Sequence, residues 1–337
     1  MDDDDDNNSN INLPTYENVM EAASILKNVS HVTPVRTSAT LNDSLGQTKV
    51  FIKCENFQRM GAFKFRGAYH ALRHRSETEV CTFSSGNHAQ AIALSARLLR
   101  KHATIIMPKD APESKVDATQ GYGGTIIFYD RYTEDREAIA RNVQETTGAV
   151  FVPPYNDKQV IAGQGTVGKE LIKCVKEDYG VESLDYLFVC VGGGGLISGC
   201  ALAAEALNPN CKVIGVEPEA GNDAQQSLEQ GKIVTIDTPA TIADGAQTQC
   251  IGDLTFSIMK QKVDCIVTVS DDDLIHEMRF LGERMKMIVE PTGCLALAGL
   301  RKMVSTNEIP PGSNCGVIIS GGNVDLERYC SLISQRH

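Results

Sequence analysis

Lys64 stands in the stretch Q-R-M-G-A-F-K-F-R-G-A, residues 58–68, between two phenylalanines and among small residues. Lysine is rarely buried, so the plain expectation is a surface side chain at a helix start. Apolar walls and a neighbouring cation would instead keep its amine neutral, and a neutral amine is a nucleophile and a base. Three other stretches could serve such an amine. In V-C-V-G-G-G-G-L-I-S-G, residues 189–199, an apolar run ends in Gly192, Gly193, Gly194 and Gly195, and a helical pattern follows. Consecutive glycines lose much backbone entropy on folding. The economical reason for them is an oxyanion, phosphate above all, held by backbone N–H groups at a helix N-terminus. T-F-S-S-G-N-H-A-Q, residues 82–90, gathers Ser84, Ser85, Asn87 and His88 in one strand-to-helix loop. A helix cap accounts for one of these residues; together they suit a carboxylate bound by N–H and O–H donors. I-I-S-G-G-N-V-D, residues 318–325, puts Ser320 at the C-terminal end of a strand, where α/β proteins bind ligands.

Other spacings point elsewhere or nowhere. Glu217 and Asp223 flank a turn containing Pro218 and Gly221. Oxygen ligands on an irregular loop suit a hard cation, and two solvated acids explain the spacing equally well. The dinucleotide fingerprint G-x-G-x-x-G fails at the glycine run, where Ile197 or Ser198 occupies its last position. G-Q-G-T-V-G-K-E, residues 163–170, resembles a P-loop, but Glu170 stands where a hydroxyl would bind magnesium. A carboxylate there would repel phosphates, so the segment is not read as a nucleotide site. His70 and His74 are four apart and could share a helix face. With no third ligand nearby in sequence, a solvated face is expected rather than a metal pair.

The elements that must position these residues alternate. Strands are predicted at 50–54, 80–83, 103–107, 125–129, 150–152, 186–191, 212–216, 265–269 and 316–320. Segments of helical length lie between most of them, among them 88–99, 134–147, 159–178, 196–207 and 271–286. Ser270 before D-D-D-L-I is an N-cap with acids in the first turn. The alternation implies an α/β architecture around mostly parallel sheets, and Pro153-Pro154 is a candidate crossing between domains.

Composition bounds the function. With 42% hydrophobic and 22% charged residues, the 337-residue chain reads as an ordinary globular protein of one large domain or two. A net charge of -11 argues against nucleic acid or an anionic membrane as partner. Asp2–Asp6 and the asparagines after them make an acidic tail over residues 1–12, expected to be disordered. It has neither the basic nor the apolar region of a signal peptide, and no apolar run approaches the ~18 residues of a membrane span. The 11 cysteines are scattered singly, with no C-x-x-C pair. This suggests a reducing, cytoplasmic address and cysteine used as a small core residue.

Taken in order, the lysine, the S-S-G-N-H loop, the tetraglycine run and the S-G-G-N strand end resemble the fold-type II pyridoxal-phosphate enzymes, the tryptophan synthase β family. Within that family the chain is most similar to the branch of eukaryotic serine racemases and catabolic serine/threonine dehydratases, over roughly residues 13–335. The resemblance implies two open, twisted, mostly parallel sheets with flanking helices. It implies a large cofactor-binding domain, residues 13–76 plus 159–337, and a small mobile domain, residues 77–158. It makes Lys64 the covalent anchor of pyridoxal 5'-phosphate, Gly192–Gly195 the phosphate cradle, Asn87 the partner of the ring oxygen and Ser320 that of the pyridine nitrogen. Ser84, Ser85, Asn87, His88 and Arg136 fall to the substrate, with Ser85 as the acid/base opposite Lys64. Glu217, the Gly221 carbonyl and Asp223 match a divalent-cation loop, for magnesium or else manganese or calcium. Tyr122, Arg284, Lys286 and Asn323 correspond to a site for ATP as effector at the interface of a homodimer.

The implied activity is serine racemisation accompanied by elimination to pyruvate and ammonia. Alternatives are a threonine/serine dehydratase, an enzyme of 3-hydroxyaspartate or aspartate that uses Arg136 for the second carboxylate, and a non-catalytic binding protein. An intact Lys64 argues against the last. Met60-Gly61-Ala62 and Phe83 depart from the family pattern, which has Thr-Gly-Ser in many members and His in animal racemases.

Overall fold

The computed structural model describes residues 12–334, so the acidic run Asp2–Asp6 lies outside the described residues. The strands are β1 (Val35–Arg36), β2 (Lys49–Cys54), β3 (Glu79–Phe83), β4 (His102–Pro108), β5 (Thr125–Tyr129), β6 (Val150–Phe151), β7 (Tyr186–Cys190), β8 (Lys212–Pro218), β9 (Cys265–Val269) and β10 (Asn314–Ile319). The helices are α1 (Tyr16–Leu26), α2 (Ala39–Ser44), α3 (Lys64–Arg73), α4 (Asn87–Leu98), α5 (Glu113–Gly121), α6 (Arg136–Thr147), α7 (Lys158–Tyr179), α8 (Gly195–Leu207), α9 (Asp223–Gln230), α10 (Asp253–Lys262), α11 (Asp271–Met285), α12 (Pro291–Ser305) and α13 (Leu326–Ser334). The sequence pattern predicts every strand but β1, whose two residues are too few to carry a period.

Two sheets form. One runs β1-β2-β10-β7-β8-β9 and is parallel except for β1; the other runs β5-β4-β3-β6 and is parallel throughout. Parallel strands covered on both faces read as continuous apolar runs, as β10 (N-C-G-V-I-I) and β7 (Y-L-F-V-C) do. Local chemistry sets the helix ends. Ser270 accepts from the Asp273 N–H and so caps α11, as expected. Asp157 caps α7 by accepting from the N–H groups of Gln159 and Val160, and Gly180 ends that helix in the left-handed region.

The P-loop-like segment 163–170 lies inside α7, away from any strand-to-helix turn. Its glycines serve close packing: a β-carbon on Gly163 would stand 2.6 Å from Gly67 Cα of α3, and one on Gly165 would stand 2.7 Å from the Gly199 carbonyl of α8. Glu170 closes a buried ion network, binding Arg66 and Lys53 at 2.7 Å each, while Arg66 also binds Glu55 at 2.7 Å. A buried arginine needs such partners for its donors, and this network holds α3 to α7 just behind Lys64.

Candidate active site

The C-terminal ends of β3, β7 and β10 open with the loop after β2 on one cavity of about 330 Å³. That volume and its few convergent polar groups suit a small-molecule site. Lys64 reaches it as the first residue of α3. The turn before it is left-handed at Met60 (φ 54°) and Gly61 (φ 77°). Glycine accepts that conformation freely and methionine does not, so Met60 must be held. Its carbonyl accepts from Asn323 Nδ2 at 2.7 Å, the Gly61 carbonyl accepts from the Gly322 N–H at 2.9 Å, and the Phe63 N–H donates to the Ser320 carbonyl at 3.0 Å. The lysine turn is thus sewn to the end of β10.

Lys64 Nζ donates to the Pro154 carbonyl at 2.8 Å and lies 5.3 Å from the centre of the Phe63 ring, while Phe65 is fully buried on the other side. Lys64 lines the cavity. Burial pushes its pKa down to about 8, and the Cys190 thiol works weakly in the opposite direction. The neighbouring cation expected from the sequence is not what lowers it; desolvation does so.

The glycine run lies between β7 and α8, with Gly194 (φ 85°) as an N-cap that offers no side chain. The first N–H groups of a helix have no intrahelical partners, so this end faces the cavity as an anion cradle. Packing supplies a second reason for glycine here. A β-carbon on Gly193 would stand 2.1 Å from the Tyr155 ring. Thr248 Oγ1, buried without a partner, lies 3.6 Å from the place of a Gly192 β-carbon. A cradle without side chains, beside an orphaned hydroxyl and within one cavity of a reactive amine, fits a phosphorylated aldehyde.

Ser84 Oγ accepts from the Gly86 N–H at 3.2 Å, and Ser84 and Ser85 both line the cavity. Asn87 donates to Glu290 at 2.7 Å and accepts from Asn323 at 2.8 Å. His88 is buried, and its Nε2 donates to the Val152 carbonyl at 3.1 Å, leaving Nδ1 an acceptor without a partner. Burial, with Lys64 nearby, holds its pKa down at about 3, so the ring is neutral. Arg136 begins α6 and stacks 4.5 Å over the Phe83 ring. Ser320 lines the cavity with its hydroxyl against the Cys190 thiol.

Sequence reasoning misses four features. Glu290 is the residue before the first turn of α12, makes no side-chain capping bond and lines the cavity; burial, and then Asp244, raise its pKa to about 8. Its only local signal is an acid set into the apolar run M-I-V-E-P. Tyr155 and Thr248 carry no signal of their own. Lys115 of α5 and Asp244 form an ion pair at the cavity wall that joins the segment carrying the smaller sheet to the larger one.

Away from the cavity, the cation loop is not solvated. Glu217 and Asp223 have no exposure, which removes the alternative of two surface acids. Glu217 accepts from the Ala224 and Gln225 N–H groups at 3.1 and 2.9 Å, while both Asp223 oxygens lack partners. Burial raises the pKa of both acids, Asp223 to about 7. Orphaned buried carboxylate oxygens fit a bound cation. Arg284 and Lys286 line a separate cavity with Arg36, and Tyr122 lies under the Arg97 guanidinium at 5.8 Å. His70 is also not on a solvated face, contrary to expectation: it is fully buried, with Nδ1 2.7 Å from the Gln159 carbonyl.

Comparison with known proteins agrees with this geometry. The family described as pyridoxal-phosphate dependent enzyme matches residues 27–321. Serine racemase of Schizosaccharomyces pombe is 57% identical over 330 residues, covering 97% of this chain and 99% of that protein. L-threo-3-hydroxyaspartate ammonia-lyase of Saccharomyces cerevisiae is 55% identical over 326 residues, covering 96% and 97%. The solved structure of maize serine racemase superposes with a TM-score of 0.88 at 39% identity, covering 96% and 97%. The amine at the start of α3, the glycine cradle before α8 and these likenesses over almost the whole chain place it among the fold-type II pyridoxal-phosphate dependent enzymes.

Proposed function

We propose that the chain interconverts L- and D-serine and also eliminates the hydroxyl of serine, giving pyruvate and ammonia. The observation that carries this reading is an amine and a hydroxyl that line one cavity from two different layers. Lys64 follows β2 of the larger sheet, and Ser85 follows β3 of the smaller. Gly192–Gly195 would hold the cofactor's phosphate, Asn87 its ring oxygen and Ser320 its pyridine nitrogen. When bound, pyridoxal phosphate supplies an electron sink for the charge left on Cα. Lys64 Nζ takes the Cα proton from one wall. Ser85 Oγ returns a proton from the other, and the configuration inverts. Departure of the β-hydroxyl before that return leads to pyruvate. Ser84, Ser85 and Asn87 hold the substrate carboxylate, with His88 and Arg136 close behind. Residues 77–158 close over the site, and the Lys115–Asp244 pair is their latch.

Glu217, Gly221 and Asp223 hold magnesium or a similar hard cation, which the buried acid pair supports. ATP as effector would use Arg284 and Lys286, whose cavity with Arg36 is basic, and Tyr122 and Asn323 across a homodimer interface. A cytoplasmic address is consistent with the free cysteines. A second reading, elimination from 3-hydroxyaspartate, is favoured by three further cations on the cavity wall, Lys115, Arg131 and Arg328, and by the relative at 55% identity.

The test is one incubation of the protein with L-serine, pyridoxal phosphate and magnesium, following D-serine and pyruvate together. Both products are expected. Ser85→Ala should abolish D-serine formation and keep pyruvate formation within about an order of magnitude, because elimination from one enantiomer needs only the group that removes the Cα proton. Racemisation retained in that variant refutes the role of Ser85. Pyruvate alone from the unaltered protein moves the assignment to a dehydratase, with threonine and 3-hydroxyaspartate as the next substrates.

A further inference from the structure

Outside the active site, α1 and α3 bring three metal-ligating side chains together. Glu21 lies in α1, His70 in α3 and His74 just past the end of α3, and one ligand atom from each lies within 4.8 Å of the others. His74 Nε2 is 3.1 Å from His70 Nε2 and 3.6 Å from Glu21 Oε1. Ligand atoms about 2.0–2.1 Å from a tetrahedral zinc ion stand about 3.3 Å apart. The spacing already present is close to that of a zinc site.

The protonation of the rings agrees. A carbonyl only accepts, so His70 Nδ1, 2.7 Å from the Gln159 carbonyl, carries the hydrogen and Nε2 carries the lone pair. Metal-bound histidines are commonly oriented in this way, by a backbone carbonyl on the outer nitrogen. Without an ion, His74 donates its Nε2 hydrogen to that lone pair. With one, the hydrogen moves to His74 Nδ1, and both Nε2 lone pairs face the ion. The charged neighbours are Asp157, which Arg75 holds at 2.7 Å, and Glu21 itself. His74 and Glu21 are 26% and 47% exposed, so an ion can enter from solvent and keep a water as fourth ligand.

We propose that Glu21, His70 and His74 form a binding site for a borderline divalent transition ion, zinc above all, separate from the oxygen-ligand loop of Glu217 and Asp223. Two imidazoles select against magnesium and calcium, which take oxygen ligands. His70 shares α3 with Lys64, so the ion ties α1 to the helix that carries the active-site amine.

The experiment is equilibrium dialysis of the full chain, loaded with pyridoxal phosphate, against zinc chloride in excess magnesium. The comparison is with His74→Ala, Glu21→Gln and, as a control, His276→Ala at an exposed histidine of α11. Free cysteines bind zinc too, so the difference between proteins is what is read. One zinc per chain is expected to be lost in His74→Ala and kept in His276→Ala, with affinity falling tenfold or more in Glu21→Gln, since loss of even an outer-shell partner costs about 10–100-fold. Zinc should raise the melting temperature of the unaltered protein and not that of His74→Ala. Equal zinc content in the unaltered protein and His74→Ala, or unchanged affinity in Glu21→Gln, overturns the site. Were His74→Ala to misfold, as judged by circular dichroism and cofactor absorbance, the exposed isostere Glu21→Gln decides alone.

Discussion

An amine with a pKa of about 8 is charged in about nine of ten molecules at pH 7 and in half of them at pH 8. The same burial that makes Lys64 reactive therefore works against the fold. Its pKa when folded lies below the value of 10.5 for an exposed lysine. The unfolded chain thus binds more protons between pH 8 and 10.5, and stability rises with pH through that window. The destabilisation is fully present below pH 8 and relieved as pH rises to about 10.5. Lys64→Met should raise the melting temperature of the cofactor-free protein at pH 7, with a gain that shrinks toward pH 10. A gain that does not change with pH would mean that packing, and not charge, is responsible. Glu290 is the opposite case, a carboxyl that burial raises to about 8. The folded state holds its proton between pH 4.5 and 8, so its contribution to stability falls as pH rises through that range.

The glycine cradle makes its prediction at the scale of the element. Gly193→Ala would drive a β-carbon into the Tyr155 ring. Overpacking of this kind costs about 1–3 kcal/mol. The variant should lose that much in a denaturant titration and bind pyridoxal phosphate at least about tenfold more weakly, because the loop that moves is the one that holds the phosphate. Unchanged affinity would show that the ring yields instead of the loop. The sequence reveals the element and only half of its cause. Four glycines after an apolar strand announce an anion site, but Tyr155 becomes a neighbour only through folding. The same division runs through the whole site. Lys64, Ser85, Asn87 and Ser320 each sit in a stretch with its own local signal, at a helix start or a strand end. Glu290 matters because it meets Asn87, 203 residues away, and Lys115 because it meets Asp244, 129 residues away. No local pattern encodes such a meeting. The spacing of His70 and His74 predicts a solvated face because their third partner, Glu21, belongs to another helix. The periods of β2–β10 and of the longer helices are legible, since buried parallel strands and capped helices write their burial into the chain residue by residue, whereas the two residues of β1 are too few to do so.

Across the whole molecule, the two cation sites proposed here would tie different parts together, α1 to α3 at one and β8 to α9 at the other. In the second, Glu217 and Asp223 are buried acids with two oxygens unpartnered. A cation bound there at 100 times its dissociation constant would add about 2.7 kcal/mol, a rise of about 4 °C in melting temperature for a chain of this length. Magnesium should produce that rise in the unaltered protein. Asp223→Asn should remove the response and leave the metal-free protein more stable than its parent. An equal response to magnesium in both proteins would place the ion elsewhere.

The glycine row of α7 bears on how this chain can change. The obstacles that a side chain would meet at Gly163 and Gly165 include main-chain atoms of α3 and α8, which no rotamer change can move aside. In a randomised library these positions should return glycine whatever substrate is selected for, whereas Arg131 and Arg328 on the cavity wall are free to drift with specificity. Divergence among related enzymes would then be channelled to the cavity rim, with the seam behind it acting as a fixed ancestral scaffold.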